Sequence, residues 1–302
     1  MARDLRNVGA SVRARILERA RAGQGDFQGL LTRYALERFL YRLSVSKHRE
    51  HFVLKGAMLF VVWVADPFRP TRDLDLLGQG DSTIETVTAR LRAICSQPVA
   101  DDGVVFDDAG LVATPIREDM EYGGVRVRTT ATISGAKLPI QIDIGFGDAI
   151  TPGPLDIDYP VMRDSPVPHI KAYPAETVVA EKFEALVKLG MANTRLKDFY
   201  DLWLISRTFS FTASVLSGAI AATFERRGTP PVAGVPTGLA DDFVVARATQ
   251  WRAFLNRERM AAVPADLAVV LADLRVFLMP VTKTVATTDH NWHPGGPWQP
   301  LI

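Results

Sequence analysis

The stretch FVLKGAMLFVVWVADPFRPTRDLDLLG, residues 52–78, constrains the fold more than any other part of the chain. Its apolar run opens on Lys55 and Gly56 and ends on two arginines and two aspartates, Asp73 and Asp75, spaced one residue apart. A plain core element needs neither feature. The pattern predicts a short strand at 52–54, a tight glycine turn, a helix from Gly56 to about 65, a rigid loop carrying Pro67 and Pro70, and a second strand at 73–77. On a strand, residues two apart point to the same face, about 6.5–7 Å from one another. Asp73 and Asp75 thus stand together among Leu74, Leu76 and Leu77, and two carboxylates so placed repel unless a cation sits between them. A pair of this kind, completed by substrate phosphates, suits Mg2+, with Mn2+ as a possible substitute. Backbone N–H groups at the start of the helix bind phosphate, and Lys55 can reach the same anion.

A third carboxylate stands out further on. PIQIDIGFGD, residues 139–148, places Asp143 in an otherwise apolar strand, with Gln141 on the same face and Asp148 after a Gly-Phe-Gly turn. Burying a lone aspartate costs several kcal/mol. Asp143 therefore either caps a turn or pairs with a buried arginine, or it is a third metal carboxylate on a strand beside the Asp73 strand. GVRVRTTATI, residues 124–133, alternates strictly and reads as a further strand.

The first half of the chain is expected to be α+β with a small mixed sheet. Ser11 can cap a helix to about residue 22, and a longer helix is expected over 27–43. The basic residues on these two helices make either a solvated face or a polyanion-facing surface. A helix over 83–95 carries Cys95 as buried filler. Residues 151–174, rich in proline and aspartate, read as a linker or wandering loop. Helices are expected after it at 175–189, 196–209, 212–226, 241–255 and 264–277. The tail DHNWHPGGPWQPLI reads as irregular, with its two tryptophans packed on the body.

Charge and composition narrow the function classes. The formal net charge of the 302 residues is +1, so no global basic field advertises nucleic acid and any basic patch must be local. A single cysteine cannot make an internal disulfide, which fits a reducing compartment. The first residues carry charges throughout, unlike a signal peptide. The longest apolar stretch, 57–65, falls short of the roughly 20 residues a membrane helix needs. A cytoplasmic protein without a membrane partner is the expectation. His48, His51, His169, His290 and His293 show no metal-ligand spacing apart from the pair in HNWH.

In the second half, Lys182 lies on a helix. It either neutralises a polyphosphate as a point charge or pairs with Glu181 or Glu184. RLKDFYDLW puts Asp198 and Asp201 three apart on one helix face. They form a double salt bridge with Arg195 and Lys197 nearby, or they belong to a substrate site.

A strand–glycine–helix unit, then D-x-D, then a single aspartate on a later strand describes the core of polymerase β-type nucleotidyltransferases. The segments NVGASVRARILERA, YALERFLYRLSVS, FVLKGAML, RPTRDLDLLG, IQIDIGFGD, YPAETVVAEKFEALVKLG and NTRLKDFYDLWLI, with the tryptophan-rich tail, resemble the AbiEii/AbiGii toxin family, including its MenT-like branch. The resemblance covers about residues 8–210. It implies a nucleotidyltransferase-type core over 1–160 and a helical domain over 161–302 that completes the active-site cleft. It also implies the toxin half of a toxin–antitoxin or abortive-infection pair, partnered by a cognate antitoxin. MenT-like members transfer a nucleotide from NTP to the tRNA 3′ end, releasing pyrophosphate, whereas the AbiEii branch is described as binding GTP. By the same resemblance Gly56 stands in the phosphate turn, Asp73 and Asp75 in the metal pair and Asp143 in the third-strand position. Lys182 and Asp198 match the second-half motif, with Asp201 one helical step on as a substrate-orienting residue. Lys55, Gly56, Ala57, Arg72 and Lys182 are the candidate nucleotide contacts. One position departs from the family: its turn usually reads Gly-Gly, and here it is Gly56-Ala57. Alanine offers phosphate no hydroxyl and resists a positive φ. Two other readings stay open, a nucleotide- or antitoxin-binding protein without transfer activity and a nucleotidyltransferase that modifies protein.

Overall fold

A computed structural model describes residues 7–64, 73–116, 123–258, 260, 263–282 and 290–301. The chain divides into two compact units, the first made of the residues up to Gly147 plus Leu155–Ala172, the second of Asp148–Pro154 plus Tyr173 onward.

In the first unit, α1 (Val8–Arg21) and α2 (Phe27–Val45) precede β1 (Phe52–Lys55). The glycine turn leads to α3 (Leu59–Trp63), and β2 (Asp73–Gly78) and α4 (Ile84–Cys95) follow. Then come β3 (Val105–Phe106), β4 (Val112–Ile116), β5 (Gly124–Ile133), β6 (Ala136–Phe146), β7 (Leu155–Asp158) and β8 (His169–Ala172). The eight strands form one mixed sheet in the order β3-β5-β6-β2-β1-β8-β7, with β4 also on β5. The β2–β6 and β1–β8 pairs are parallel and the others antiparallel. Helices α1, α2 and α4 pack on this sheet, and Val12, Ile16, Leu36, Phe39, Leu40, Val87 and Leu91 are buried in its core.

Three expectations need correction here. First, α1 is capped by Asn7, whose Oδ1 accepts from the Ala10 N–H, so the helix starts a turn before Ser11. An asparagine satisfies an orphan N–H at least as well as a serine, and the earlier residue won. Second, the basic residues of the two helices divide: Arg13, Arg15 and Arg21 of α1 are exposed, as a solvated face requires, whereas two of α2 turn inward. Arg38 and Arg42 are buried, Arg38 paired with Glu37 and the Pro166 carbonyl, Arg42 forked onto Asp102. Third, 151–174 is no linker, because it contains β7 and β8. The Glu37 carboxylate accepts from the Met162 N–H and the Arg19 guanidinium donates to the Met162 carbonyl, which ties the loop between these strands to α1 and α2.

The second unit is mostly helical: α5 (Ala175–Leu189), α6 (Leu196–Thr208), α7 (Ala213–Arg226), α8 (Asp241–Glu258) and α9 (Leu267–Leu278). Strands β9 (Phe211–Thr212), β10 (His290–Trp292) and β11 (Trp298–Pro300) make a small antiparallel sheet. The tail is thus a strand pair, not an irregular segment. Its tryptophans do pack down: Trp292 donates to the Ser206 carbonyl and Trp298 to the Phe277 carbonyl, and both rings lie against Phe277. The segment 148–154 is fastened to this unit by Asp148 on Arg227 and by Thr151 hydrogen-bonded both ways to Thr177. Arg227 also meets Glu181 and Glu184. Burial disfavours its charge, yet Glu181, Asp148 and Glu184 together hold its proton more tightly than usual. Among the described residues no helix is long and apolar enough to cross a membrane.

Candidate functional site

Strand register sets four charged residues in one row. Lys55 lies opposite Asp75 across β1–β2, Asp75 opposite Asp143 across the parallel β2–β6 pair, and Asp143 opposite Arg126 across β6–β5. Residues paired across strands share a sheet face, and that face alternates with the other along each strand. The alternate positions, Leu74, Leu76, Ile142, Ile144, Val125 and Val127, are buried. One step along lies a second row of Asp73, Gln141 and Arg128. The sheet therefore carries carboxylates at its middle, flanked by cationic side chains on both sides.

Gly56 adjoins this row. Its φ is +73°, a left-handed conformation, and a Cβ on it would fall 2.0 Å from Asp75 Oδ2. The backbone of the turn thus lies directly against the Asp75 carboxylate, an approach that glycine alone permits. Gly56–Met58 is a 3-10 turn feeding the five-residue α3, which is shorter than the helix to about 65 that the sequence predicts. Among the described residues only Ser134 has a positive φ without being glycine. The left-handed demand therefore falls on Gly56, and Ala57 meets no backbone strain. What Ala57 lacks is the hydroxyl. Arg72 lies outside the described residues.

Asp143 is held by a two-pronged contact from Arg126, Nε to Oδ1 at 2.8 Å and Nη2 to Oδ2 at 2.6 Å. Gln141 Nε2 adds a longer contact at 3.4 Å, and Gln141 Oε1 accepts from Arg128 Nε at 3.2 Å. The hydrogen bonds to Asp143 raise the Arg126 pKa. Burial opposes the rise, and the charges of Asp143, Asp73 and Asp75 add to it. One guanidinium thus sits in the field of all three carboxylates. In chemical kind these carboxylates fit a divalent cation, being hard oxygen donors two residues apart and one strand apart. In arrangement Asp143 is already engaged. Among the described residues no group of three or more His, Cys, Asp or Glu side chains stands ready to hold a metal. Arg126 was not singled out from sequence. Its signal was there, in the Arg-x-Arg of a strictly alternating strand, which puts two cations on one sheet face.

In the second unit, Lys182 Nζ lies 2.7 Å from Asp198 Oδ1 and 2.7 Å from Asp201 Oδ2, with Arg195 Nε 2.7 Å from Asp198 Oδ2. The two aspartate side chains are 1% and 0% exposed, that of Lys182 15%. Burial pushes the Asp198 pKa up, but Lys182 and Arg195 outweigh it and hold the carboxyl below its usual range. The sequence offers Lys182 the neighbouring Glu181 or Glu184; the structure sets it against the aspartates of α6. Glu181 and Glu184 turn to Arg227 instead.

The profile of the AbiEii nucleotidyl transferase toxins, described as a type IV toxin–antitoxin system, matches residues 38–273. The chain belongs to the AbiEii family. It is therefore a nucleotidyltransferase-family toxin of the type IV class. A crystal structure from H. pylori with a provisional nucleotidyltransferase designation superposes with a TM-score of 0.50 at 14% identity, covering 84% of this chain and 97% of that one. The structure of JHP933 from Helicobacter pylori gives a TM-score of 0.48 at 15% identity, covering 84% and 94%. The first of these likenesses supports the fold. No curated protein sequence matches the chain.

Proposed function

We propose that this AbiEii-family chain is a toxin that transfers a nucleotide from an NTP to the 3′ end of an RNA, tRNA being the expected acceptor, and that a cognate antitoxin restrains it. The observation that carries this reading is the register of Asp75 against Asp143, with Asp73 two residues upstream on the same face. Three carboxylates gathered on one face of a mixed sheet, beside a glycine turn and a helix start, suit phosphoryl chemistry. Asp73, Asp75 and Asp143 would hold a divalent cation, Mg2+ or Mn2+, which when bound neutralises phosphate charge and eases deprotonation of the attacking hydroxyl. The N–H groups of the Gly56 turn and the Lys55 ammonium bind the phosphates. Asp143 orients or accepts the proton of the acceptor hydroxyl. Lys182, fixed by Asp198 and Asp201, contributes positive charge to substrate binding.

The test is to incubate the protein with each α-³²P-labelled NTP and either total RNA or a soluble protein extract. Label entering RNA of tRNA size supports the proposal. Label entering protein moves the acceptor class. A bound nucleotide with no transfer in any combination supports a binding protein instead, the reading favoured by the engagement of Asp143 with Arg126.

A further inference from the structure

We propose that Arg126 is a substrate-displaced latch, holding Asp143 away from the divalent cation until the NTP triphosphate draws its guanidinium off. The inference rests on the nucleotidyltransferase reading above and adds to it the order in which the site is completed.

Three observations carry it. The contact is a two-pronged fork with both distances below 3 Å, the geometry in which a guanidinium binds a carboxylate most strongly. It engages both oxygens of Asp143 and offsets their charge, so a cation at Asp73 and Asp75 gains only a weakened ligand from Asp143 while the fork is closed. Asp143 lies directly opposite Asp75, so opening the fork adds the third carboxylate without any backbone movement. The Arg126 side chain is also 34% exposed, against 18% for Asp143, so it has room to swing toward solvent.

A ligand must offer the guanidinium something better than Asp143. A triphosphate does, because it presents several anionic oxygens to the same planar fork. Arg128 lies two residues along β5 on the same face, about 6.5–7 Å away, and is exposed. It gives the polyphosphate a second guanidinium beside the first. Among the described residues Arg128 is held by a neutral contact to Gln141, so it gives way more readily. On this account β5 adds two phosphate-binding guanidiniums to the Lys55 ammonium of β1, while β2 and β6 supply the metal-binding anions. Phosphate and cation then help each other bind, since each relieves the pair that blocks the other, and that coupling is reciprocal.

The experiment is to follow Mn2+ binding by the loss of the free-ion paramagnetic resonance signal, with and without a non-hydrolysable NTP analogue. It uses the full-length wild type, Arg126→Gln, Arg126→Lys, Arg128→Gln and the double variant Arg126→Gln/Asp143→Asn. Without nucleotide, Arg126→Gln is expected to bind Mn2+ about tenfold more tightly than wild type, a gain that Asp143→Asn abolishes. Arg128→Gln removes an equal charge one register step away and is expected to change Mn2+ affinity by at most about half as much on a logarithmic scale. Arg126→Lys keeps the charge but cannot make the fork, and covers the case in which the glutamine variant is poorly folded. It is expected to fall between wild type and Arg126→Gln. Equal gains in Arg126→Gln and Arg128→Gln would mean that Arg126 acts only through its field, and would overturn the latch. An unchanged Mn2+ affinity in both Arg126 variants overturns it too. If the wild type binds both Mn2+ and the analogue but binds each independently, the latch fails while the nucleotidyltransferase reading stands. If the wild type binds no analogue at all, both fail.

Discussion

Gly56 and Asp75 touch so closely that no side chain fits between them: a Cβ on Gly56 would overlap Asp75 Oδ2 at 2.0 Å. The glycine also holds a φ of +73°. Gly56→Ala therefore meets two penalties at once, a left-handed alanine and a steric clash with the central carboxylate. The backbone term alone costs roughly 1–3 kcal/mol. The expected outcome is a lowered melting temperature together with loss of nucleotide binding. Unchanged calorimetric stability in Gly56→Ala would show that the turn relaxes freely and does not position Asp75.

Asp73 and Asp75 should separate activity from folding. Each contributes negative charge to a crowded face, so Asp73→Ala or Asp75→Asn relieves repulsion in the metal-free protein. Transfer activity should vanish, while the metal-free melting temperature stays level or rises. A marked fall in melting temperature for Asp75→Asn would identify the carboxylate as a structural partner of Lys55.

Lys182 presents the opposite case. It is the shared counter-ion of two aspartates with almost no exposed surface. Lys182→Ala removes the counter-ion that both aspartates share, though Asp198 keeps Arg195, and breaking a buried pair in this way costs about 3–5 kcal/mol. Differential scanning calorimetry should show the loss, in addition to any effect on NTP binding. If Lys182→Ala keeps wild-type stability and loses only nucleotide affinity, the triad is a binding device and not a structural one.

The same triad predicts an acid limit. Asp198 has a folded pKa held below its ordinary value. Its contribution to stability is therefore complete above the unfolded value, about 3.9, and is lost as pH falls through that value toward the folded one. Thermal melts of wild type should fall on acidification below about pH 4. Asp198→Asn should be less stable at neutral pH and show a shallower decline in that window. Identical slopes in the two proteins would remove Asp198 from the acid transition.

Induced expression in bacteria should arrest growth, and Asp73→Ala should not, since it lacks the carboxylate set while keeping the fold. Growth curves of the two, at matched protein levels, check this. Equal arrest by both would show that the toxicity does not pass through Asp73.

Much of this site was legible in the sequence because its signals are local. A strand opening on Asp-x-Asp, a Lys-Gly pair before a helix start and an aspartate in an apolar strand each announce themselves within ten residues. The distance between Asp75 and Asp143 along the chain hides their direct pairing, but the alternation of both strands puts each on a polar face. What stayed hidden depends on partners far away. Strands β7 and β8 are four residues each, among prolines and aspartates. They are strands because β1 offers an open edge to β8, which local composition does not reveal. The buried Arg38 reads as a surface residue until Glu37 and the carbonyl of Pro166 are placed beside it. Arg126 is hidden for a different reason: it lies in an evident strand, but its meaning comes from Asp143 on the next strand.

The return of 155–172 to the first unit bears on how the chain can be made. β1 has β2 on one side and β8 on the other. Until residue 172 has left the ribosome, β1 is an edge strand with Phe52, Val53 and Leu54 unprotected along it, the kind of edge that recruits other chains. A nascent chain stopped near residue 147 or 160 would carry Asp73, Asp75 and Asp143 on an open, aggregation-prone sheet. A half-finished toxin of this design is thus prone to be cleared as a misfolded fragment before it can act as an enzyme.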